Sequence, residues 1–350
     1  MSEIPQGAIR FNTDSQRLEF YAQGEWWVMS TDTPNLASAG DPTPGGRGLF
    51  GGGRQGSPSP GALSDTIDYI NIASTGDAID FGNLTVARRR VSSCASSTRG
   101  LWGGGYTPDR DIIDFVTIAS TGNATDFGNL SVARRTPGSL SNATRGIFAG
   151  GNVGGGAGTL QDVIDYITIA ATGNAVDFGN LSVARDGAGG CGNSVRGLLG
   201  GGYIGPSSPT RSNIIDFVTI ATLGNTTDFG DLTVDRSATP GASSPVRGVW
   251  AGAYTSSGSP GAVDTIDYVQ IMSTGNAVDF GDLSTDYSPF ADGISNCVRA
   301  VFGGGYIASP GRTNRIEYVN IPTQGNSVDF GDRTVSEASG GACSNSHGGL

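Results

Sequence analysis

Short runs of apolar residues, each broken within a few positions by glycine or a polar turn, follow one another along this chain with no stretch of helical spacing. Beyond residue 46 the runs recur in a fixed order. An Arg-Gly opens each copy, followed by an apolar pair, a glycine run, an Ile-Asp-aromatic stretch, a turn, and the triplet Asp-Phe-Gly. The triplets begin at Asp80, Asp126, Asp177, Asp228, Asp279 and Asp329, at steps of 46, 51, 51, 51 and 50 residues. The openings keep the same step, at Arg47, Arg99, Arg145, Arg196 and Arg247, with Arg299-Ala300 in sixth place. A period near 50 residues made of short strands predicts an all-β propeller or array.

The copy from 99 to 145 predicts the elements. Arg99, Gly100, Leu101 and Trp102 form a short apolar strand that runs into Gly103-Gly104-Gly105-Tyr106. Residues 112–118 form a second, rich in β-branched and aromatic side chains. Ile113 and Phe115 occupy one of its faces and Ile112, Val116 and Ile118 the other, as a strand covered on both sides requires. Ser120-Thr121-Gly122-Asn123 supplies a turn, residues 124–130 a third strand, and Val132-Ala133-Arg134 opens the connection to the next copy.

Residues 7–29 do not belong to the repeat. Ile9 and Phe11 alternate with polar residues, 12–15 read as a turn, Leu18 and Phe20 alternate again, and Trp26-Trp27 begins a third strand. So short a hairpin module buries too little apolar surface to be stable alone. Ile9, Phe11, Leu18, Phe20, Trp26 and Trp27 are therefore candidate attachment residues, needing either the repeat body or another polypeptide. The chain divides into a module at 1–32, a Thr/Pro/Ala/Gly linker at 33–46, and a repeat body at 47–350.

Composition narrows the partners. The 58 glycines sit at fixed places in each copy and read as turns rather than disorder. There are 32 carboxylates against 21 basic residues, all arginine, for a net charge of -11. That balance, without a basic cluster, argues against nucleic acid or an anionic membrane as partner. No stretch approaches about 18 apolar residues, so no membrane helix is expected. The opening Met1-Ser2-Glu3-Ile4-Pro5 does not read as a secretory signal. Cys94, Cys191, Cys297 and Cys343, each just before an Arg-Gly or its equivalent, read as buried small residues rather than disulfides or metal ligands.

The glycine run, the hydrophobic strand with Asp-Tyr, the turn with its aromatic, and the arginine before the next strand resemble the kelch repeat over residues 47–350. The resemblance implies four-stranded blades and a six-bladed kelch-like β-propeller preceded by a small N-terminal β-hairpin module. It departs from the family where Phe81, Phe127, Phe178, Phe229, Phe280 and Phe330 replace the usual tryptophan. Closure needs one blade completed from both chain ends, and the tail 344–350 falls where that last strand belongs. Gly-x-Ile-Arg-Phe-Asn-Thr-Asp, then Leu-Glu-Phe-Tyr and Gly-x-x-Trp, resembles the N-terminal module of tailed-phage fibre and virion proteins, those of marine cyanobacterial phages above all.

Several strings invite chemical readings that repetition removes. Asp-Phe-Gly occurs six times without a kinase catalytic loop, so a turn-stabilising aspartate is the better account. The Gly-Gly-Gly-Tyr strings lack the Gly-Lys-Ser/Thr of a phosphate loop. The repeated carboxylates Asp68, Asp114, Asp165, Asp216, Asp267 and Glu317 are expected to pair with arginines or backbone amides. His347 is the sole histidine, which excludes a kelch-like copper oxidase, and no sialidase Asp-box is present. Neither catalytic residue, metal nor cofactor is expected.

Variation is concentrated between each glycine run and the next strand, at 54–63, 107–111, 152–160, 204–213, 255–262 and 307–314. These segments share one structural position and should crowd one face, where binding sites collect. Tyr106, Tyr203, Tyr254 and Tyr306 lie at their bases as candidate sugar-stacking residues, with packing between blades as the competing role. The resemblance implies a non-enzymatic virion structural protein, made in the host cytoplasm, that joins other virion proteins through residues 7–29. As a fibre adhesin or a head or tail decoration it would present the propeller to a host-surface glycan or protein, as a trimer by family analogy. A cellular kelch-like scaffold or lectin and a glycan-cleaving enzyme remain the alternatives.

Overall fold

The computed structural model describes residues 5, 7–12, 17–28, 46–56, 61–154, 159–206, 210–255, 262–285, 287–288, 293–307 and 311–350, with backbone alone at 11, 12, 17, 18, 27, 28, 287 and 288. The described residues form an all-β protein of antiparallel sheets, and none of their helices is long and apolar enough to cross a membrane. The chain separates into two compact units, Met1–Asp41 and Pro42–Leu350.

The first unit holds an antiparallel sheet of Ile9–Asn12, Arg17–Ala22 and Glu25–Val28. Gln23 and Gly24, at φ 55° and 85°, make the two-residue turn that such twisted hairpins prefer. The expected turn at 12–15 lies mostly outside the described residues. Ile9 pairs with Phe20, Phe11 with Leu18, and Phe20 with Trp27, which sets these five positions on one face of the sheet. Trp26 falls on the other face. There Arg10 stacks over its ring at 4.1 Å and bonds Glu19 at 2.8 Å, while Tyr21 packs at 5.3 Å. The six nominated attachment residues therefore do not share one surface, because neighbouring strand residues alternate sides. Ile9 is 64% exposed and Phe20 37%.

Among the described residues the second unit holds six sheets with four strand positions each, and two further two-stranded sheets, Asn152–Val153 with Thr159–Leu160 and Tyr287–Ser288 with Tyr306–Ile307. The second sheet sets the pattern, with Ser92–Ala95, Arg99–Gly103, Ile112–Thr117 and Thr125–Asn129 side by side. Sequence reading missed the first of these, a stretch of small residues without an apolar signature. The first sheet joins the two ends of the unit. Glu337–Ala338 and Gly341–Ser344 pair with Arg47–Gln55, which pairs with Leu63–Asn71 and then Ile79–Asn83. The closing strand thus ends at Ser344. Residues 345–350, expected to supply it, leave the ladder instead: His347 Nε2 meets the Ala95 carbonyl at 3.0 Å and Gly348 N–H reaches Ser243 O at 3.1 Å.

The core consists of six hydrophobic clusters, each between one sheet and the next. Leu49, Ile67 and Phe81 meet Trp102, Val116 and Ile118 between the first and second sheets. Phe302's sheet in turn faces the first: Val301, Ile316 and Phe330 pack with Phe50 and Ile70. Trp102, Phe148, Trp250, Phe302 and Phe50 are each at most 1% exposed. For four of them, Phe302 excepted, glycine in the preceding sheet makes room. A Cβ on Gly51 would stand 2.7 Å from Trp102, and one on Gly103 2.7 Å from Phe148. The indole N–H groups are satisfied across the same gap, Trp102 by Gly341 O and Trp250 by Gly189 O.

Polar bonds repeat at the same boundaries. Each Arg-Gly arginine lies over an aromatic of its own sheet and donates to an isoleucine carbonyl of the next: Arg47 to Ile118, Arg99 to Ile169, Arg145 to Ile220, Arg196 to Ile271 and Arg247 to Ile321. Arg299, in the sixth sheet, donates to Ile72 in the first. Serines link the first strands, with Ser139 Oγ on Ser93 O, Ser295 Oγ on Ser243 O and Ser344 Oγ on Ser295 O.

Asp-Phe-Gly explains itself here, though not through its aspartate. The phenylalanine is buried edge-on to the aromatic of the third strand, Phe127 against Phe115 at 5.8 Å. Its carbonyl accepts from a turn glycine of the next sheet, as Phe81 O does from Gly122 N–H. Asp126 lies exposed on the outermost strand, not in a turn. The turn is held by asparagine: Asn123 Oδ1 accepts from Asn83 N–H across the boundary.

Candidate ligand-binding mouth

The repeated aspartates form buried ion pairs with arginines of the preceding connection. Arg88–Asp114, Arg134–Asp165, Arg185–Asp216 and Arg236–Asp267 close at 2.7, 3.1, 3.1 and 2.8 Å with both partners at most 1% exposed. Each carboxylate also takes a hydroxyl from Ser or Thr, such as Thr85 on Asp114 and Ser131 on Asp165. Where the pattern breaks, it is compensated. Glu337 replaces one arginine, and Arg333, in the place of the leucines, bridges Asp68 at 3.4 Å and Glu337 at 2.8 Å. These charges serve the fold, as expected.

A different set of charged residues gathers at one end of the unit. At the end where the variable segments gather, a cavity of about 530 Å³ opens, its wall carrying Arg54, Arg89, Arg90, Arg135, Arg211 and Arg312. Asp186 is the one carboxylate among its described lining residues. Tyr203, Tyr254 and Tyr306 line it too, while Tyr106 stands beside it inside a fan of guanidiniums, 4.6 Å from Arg135, 5.1 Å from Arg89 and 6.0 Å from Arg90. The four nominated tyrosines thus gather at one mouth, three as wall and one as support for arginine.

The walls rise in tiers from equivalent positions of the sheets. In the upper tier, Tyr106 pairs through its backbone with Arg89, Asn152 with Arg135, Tyr203 with Asp186 and Tyr254 with Ser237. Below them the next residues, Arg90, Thr136, Gly187, Ala238 and Ser339, all take the left-handed conformation, at φ 58°, 51°, 65°, 58° and 65°. They hydrogen-bond in succession: Arg90 N–H to Ser339 O, Thr136 to Arg90 O, Gly187 to Thr136 O and Ala238 to Gly187 O. This collar favours small residues, since left-handed backbone costs an L-residue roughly 1–2 kcal/mol. Arg90 is the one large side chain among the five.

Crowding marks the arginines. Burial, then the neighbouring Arg90, Arg54 and Arg312, bring the Arg89 guanidinium down to about 10. Arg90 is lowered by burial, with Asp186 opposing, and Asp186 is raised by burial. Nε of Arg89 and of Arg90 is buried without a partner. Arg135 is better anchored, by Asp109 at 3.1 Å and Gly154 O at 2.7 Å, and Arg211 donates to Ser237 Oγ at 3.0 Å. Beyond Arg88-Arg89-Arg90 the sequence holds no basic run, yet the fold assembles a basic cluster from distant positions. The extra arginines after Val-Ala-Arg88 (Arg89-Arg90) and Val-Ala-Arg134 (Arg135-Thr136) were the legible sign, because the corresponding pairs in three other copies are Asp186-Gly187, Ser237-Ala238 and Ala338-Ser339.

Below the collar the first strands line a space of about 50 Å³ with serine, glycine and cysteine, and His347 closes on it. Cys94, Cys191 and Cys343 are buried thiols outside any disulfide, whereas Cys297 is half-buried in a hairpin turn, a different position from the other three. No protein-family model matches the chain, and a search of curated proteins finds no match either.

Proposed function

We propose that the chain is a non-enzymatic display protein: a six-bladed, kelch-like propeller carried on a virion by its N-terminal hairpin module and binding a ligand at the arginine- and tyrosine-lined mouth. The blade reading is supported by six sheets of one pattern, by the arginine bonds that pass from each sheet to the next and from the sixth to the first, and by a first sheet built from both ends of the unit. The observation that carries the binding reading is the mouth. Its scaffold repeats, its side chains do not, and repetition is what the fold itself demands. Guanidinium stays protonated at physiological pH, so such a wall holds anions but does not shuttle protons. The exposed Ile9 and Phe20 support attachment.

Deleting residues 1–32 tests the display reading. The shortened protein folds and fails to enter particles. Incorporation at the normal level, or particles that never contain the full chain, would show that the reading is wrong.

A further inference from the structure

We infer that the mouth is a receptor site for a compact acidic saccharide, with carboxylate or sulfate groups held by Arg89, Arg90 and Arg135 and sugar rings laid against Tyr203, Tyr254 and Tyr306. The inference rests on reading this end as the ligand-facing one and adds the ligand's chemistry.

Four observations meet at this class. The first is charge. Six arginines converge while the described wall offers one carboxylate, in a chain whose net charge is -11. Arg89 and Arg90 form no ion pair among the described residues, and Arg90, Arg54 and Arg312 crowd Arg89 closely enough to lower its affinity for protons, so the cluster is held against its own repulsion. A ligand with more than one negative group relieves it, and the guanidinium fork matches carboxylate and sulfate oxygens in pairs.

The second is Arg90 itself. The collar accepts Thr136, Gly187, Ala238 and Ser339 at equivalent places, so the fold has no need of a large side chain there. A charged residue kept in a left-handed conformation, with Nε buried and unpartnered, is a strained feature of the kind that gathers at binding sites. The third is the tyrosines, each an apolar face with a hydroxyl tip, suited to a ring that is apolar on one side and hydroxylated at its rim.

Size and surroundings supply the fourth. About 530 Å³ falls within the range of pockets for small ligands and suits one to three sugar rings. Long polyanions such as nucleic acid need a basic stripe that tracks their phosphates. Here the positive charge is confined to one concave mouth of an acidic protein.

The test is calorimetric titration of the full chain with a galacturonate trisaccharide, a sulfated trisaccharide, neutral maltotriose, inorganic sulfate and a hexathymidylate. The variant is Arg89→Ser with Arg90→Ser, since serine already stands at the equivalent Ser237 and Ser339. The expected result is saturable binding of one or both acidic trisaccharides, at least tenfold weaker binding of maltotriose, and a hundredfold loss in the double variant at an unchanged melting temperature. Binding that survives both substitutions overturns the site. Sulfate or hexathymidylate binding as tightly as the trisaccharides overturns the saccharide and leaves bare anion attraction or nucleic acid. Maltotriose binding equally well overturns the role of charge yet keeps the ligand-facing reading. If no probe binds but Arg89 and Arg90 prove to be covered in the assembled particle, both readings fall together.

Discussion

Cutting the buried Arg134–Asp165 pair from one side only should damage the fold far more than removing both charges. Arg134 and Asp165 are 0% exposed, and Arg134 donates only to Asp165 and the Phe148 carbonyl, leaving Nε and Nη1 without partners. In Asp165→Ala the guanidinium stays buried with a single carbonyl acceptor. Breaking such a pair costs about 3–5 kcal/mol, a large part of the roughly 5–15 kcal/mol that holds a protein folded. With about 2.1 cal/mol/K of unfolding entropy per residue over some 300 residues, that cost lowers the melting temperature by ~5–8 °C. Arg134→Met with Asp165→Ala removes the stranded charge, and the loss should fall below about 2 kcal/mol. Thermal unfolding of the two single variants and the double, followed by circular dichroism, closes a double-mutant cycle. Equal destabilisation in Asp165→Ala and the double variant would refute the reasoning, because the stranded guanidinium would then carry no cost. The chain already contains a natural version of the exchange, where Arg333 and Glu337 together serve Asp68.

Other boundaries give sharper contrasts. Gly128→Ala puts a Cβ 2.3 Å from Gly173 O, whereas Gly122→Ala meets nothing within 4 Å; both have positive φ, so both lose the backbone term of about 1–3 kcal/mol, but only Gly128→Ala should unfold or express poorly. Ending the chain at residue 340 removes the strand Gly341–Ser344 and the acceptor of Trp102 Nε1–H, and the shortened protein should lose its cooperative melt and bind hydrophobic dye; an unchanged melt would sink the closure account. Burial holds the His347 imidazole below its ordinary value, with the Ala95 carbonyl partly opposing. The unfolded chain then takes up that proton first, so stability declines as pH falls below about 6.5, and His347→Gln should flatten the decline.

What the sequence made legible is whatever each sheet needs from its neighbours. The Arg-Gly openings, Asp-Phe-Gly and the Ile-Asp-aromatic strands recur because they make the bonds that cross every boundary, from Arg47 on Ile118 O to the buried Asp114. The aspartate–arginine pairing followed from the same repetition. Other features were hidden for physical reasons. First strands such as Ser92–Ala95 and Gly189–Gly192 are made of small residues that pack by close approach and leave no hydrophobic alternation to read. The mouth was half visible: its face and tyrosines were legible as variation, but Arg54, Arg90 and Arg312 stand far apart in sequence and meet only because the first and last sheets are neighbours. Alternation along a strand also separates adjacent residues, which is why Trp26 and Trp27 divide between two faces.

A crystal structure of the full chain grown with selenate would test the central claim most directly, through the anomalous signal of selenium. The account predicts one dominant peak in the mouth, within hydrogen-bonding distance of Arg89, Arg90 or Arg135, above the left-handed collar of Arg90, Thr136, Gly187, Ala238 and Ser339. A mouth empty of selenate, with Arg89 and Arg90 paired to carboxylates of the same chain, would contradict it.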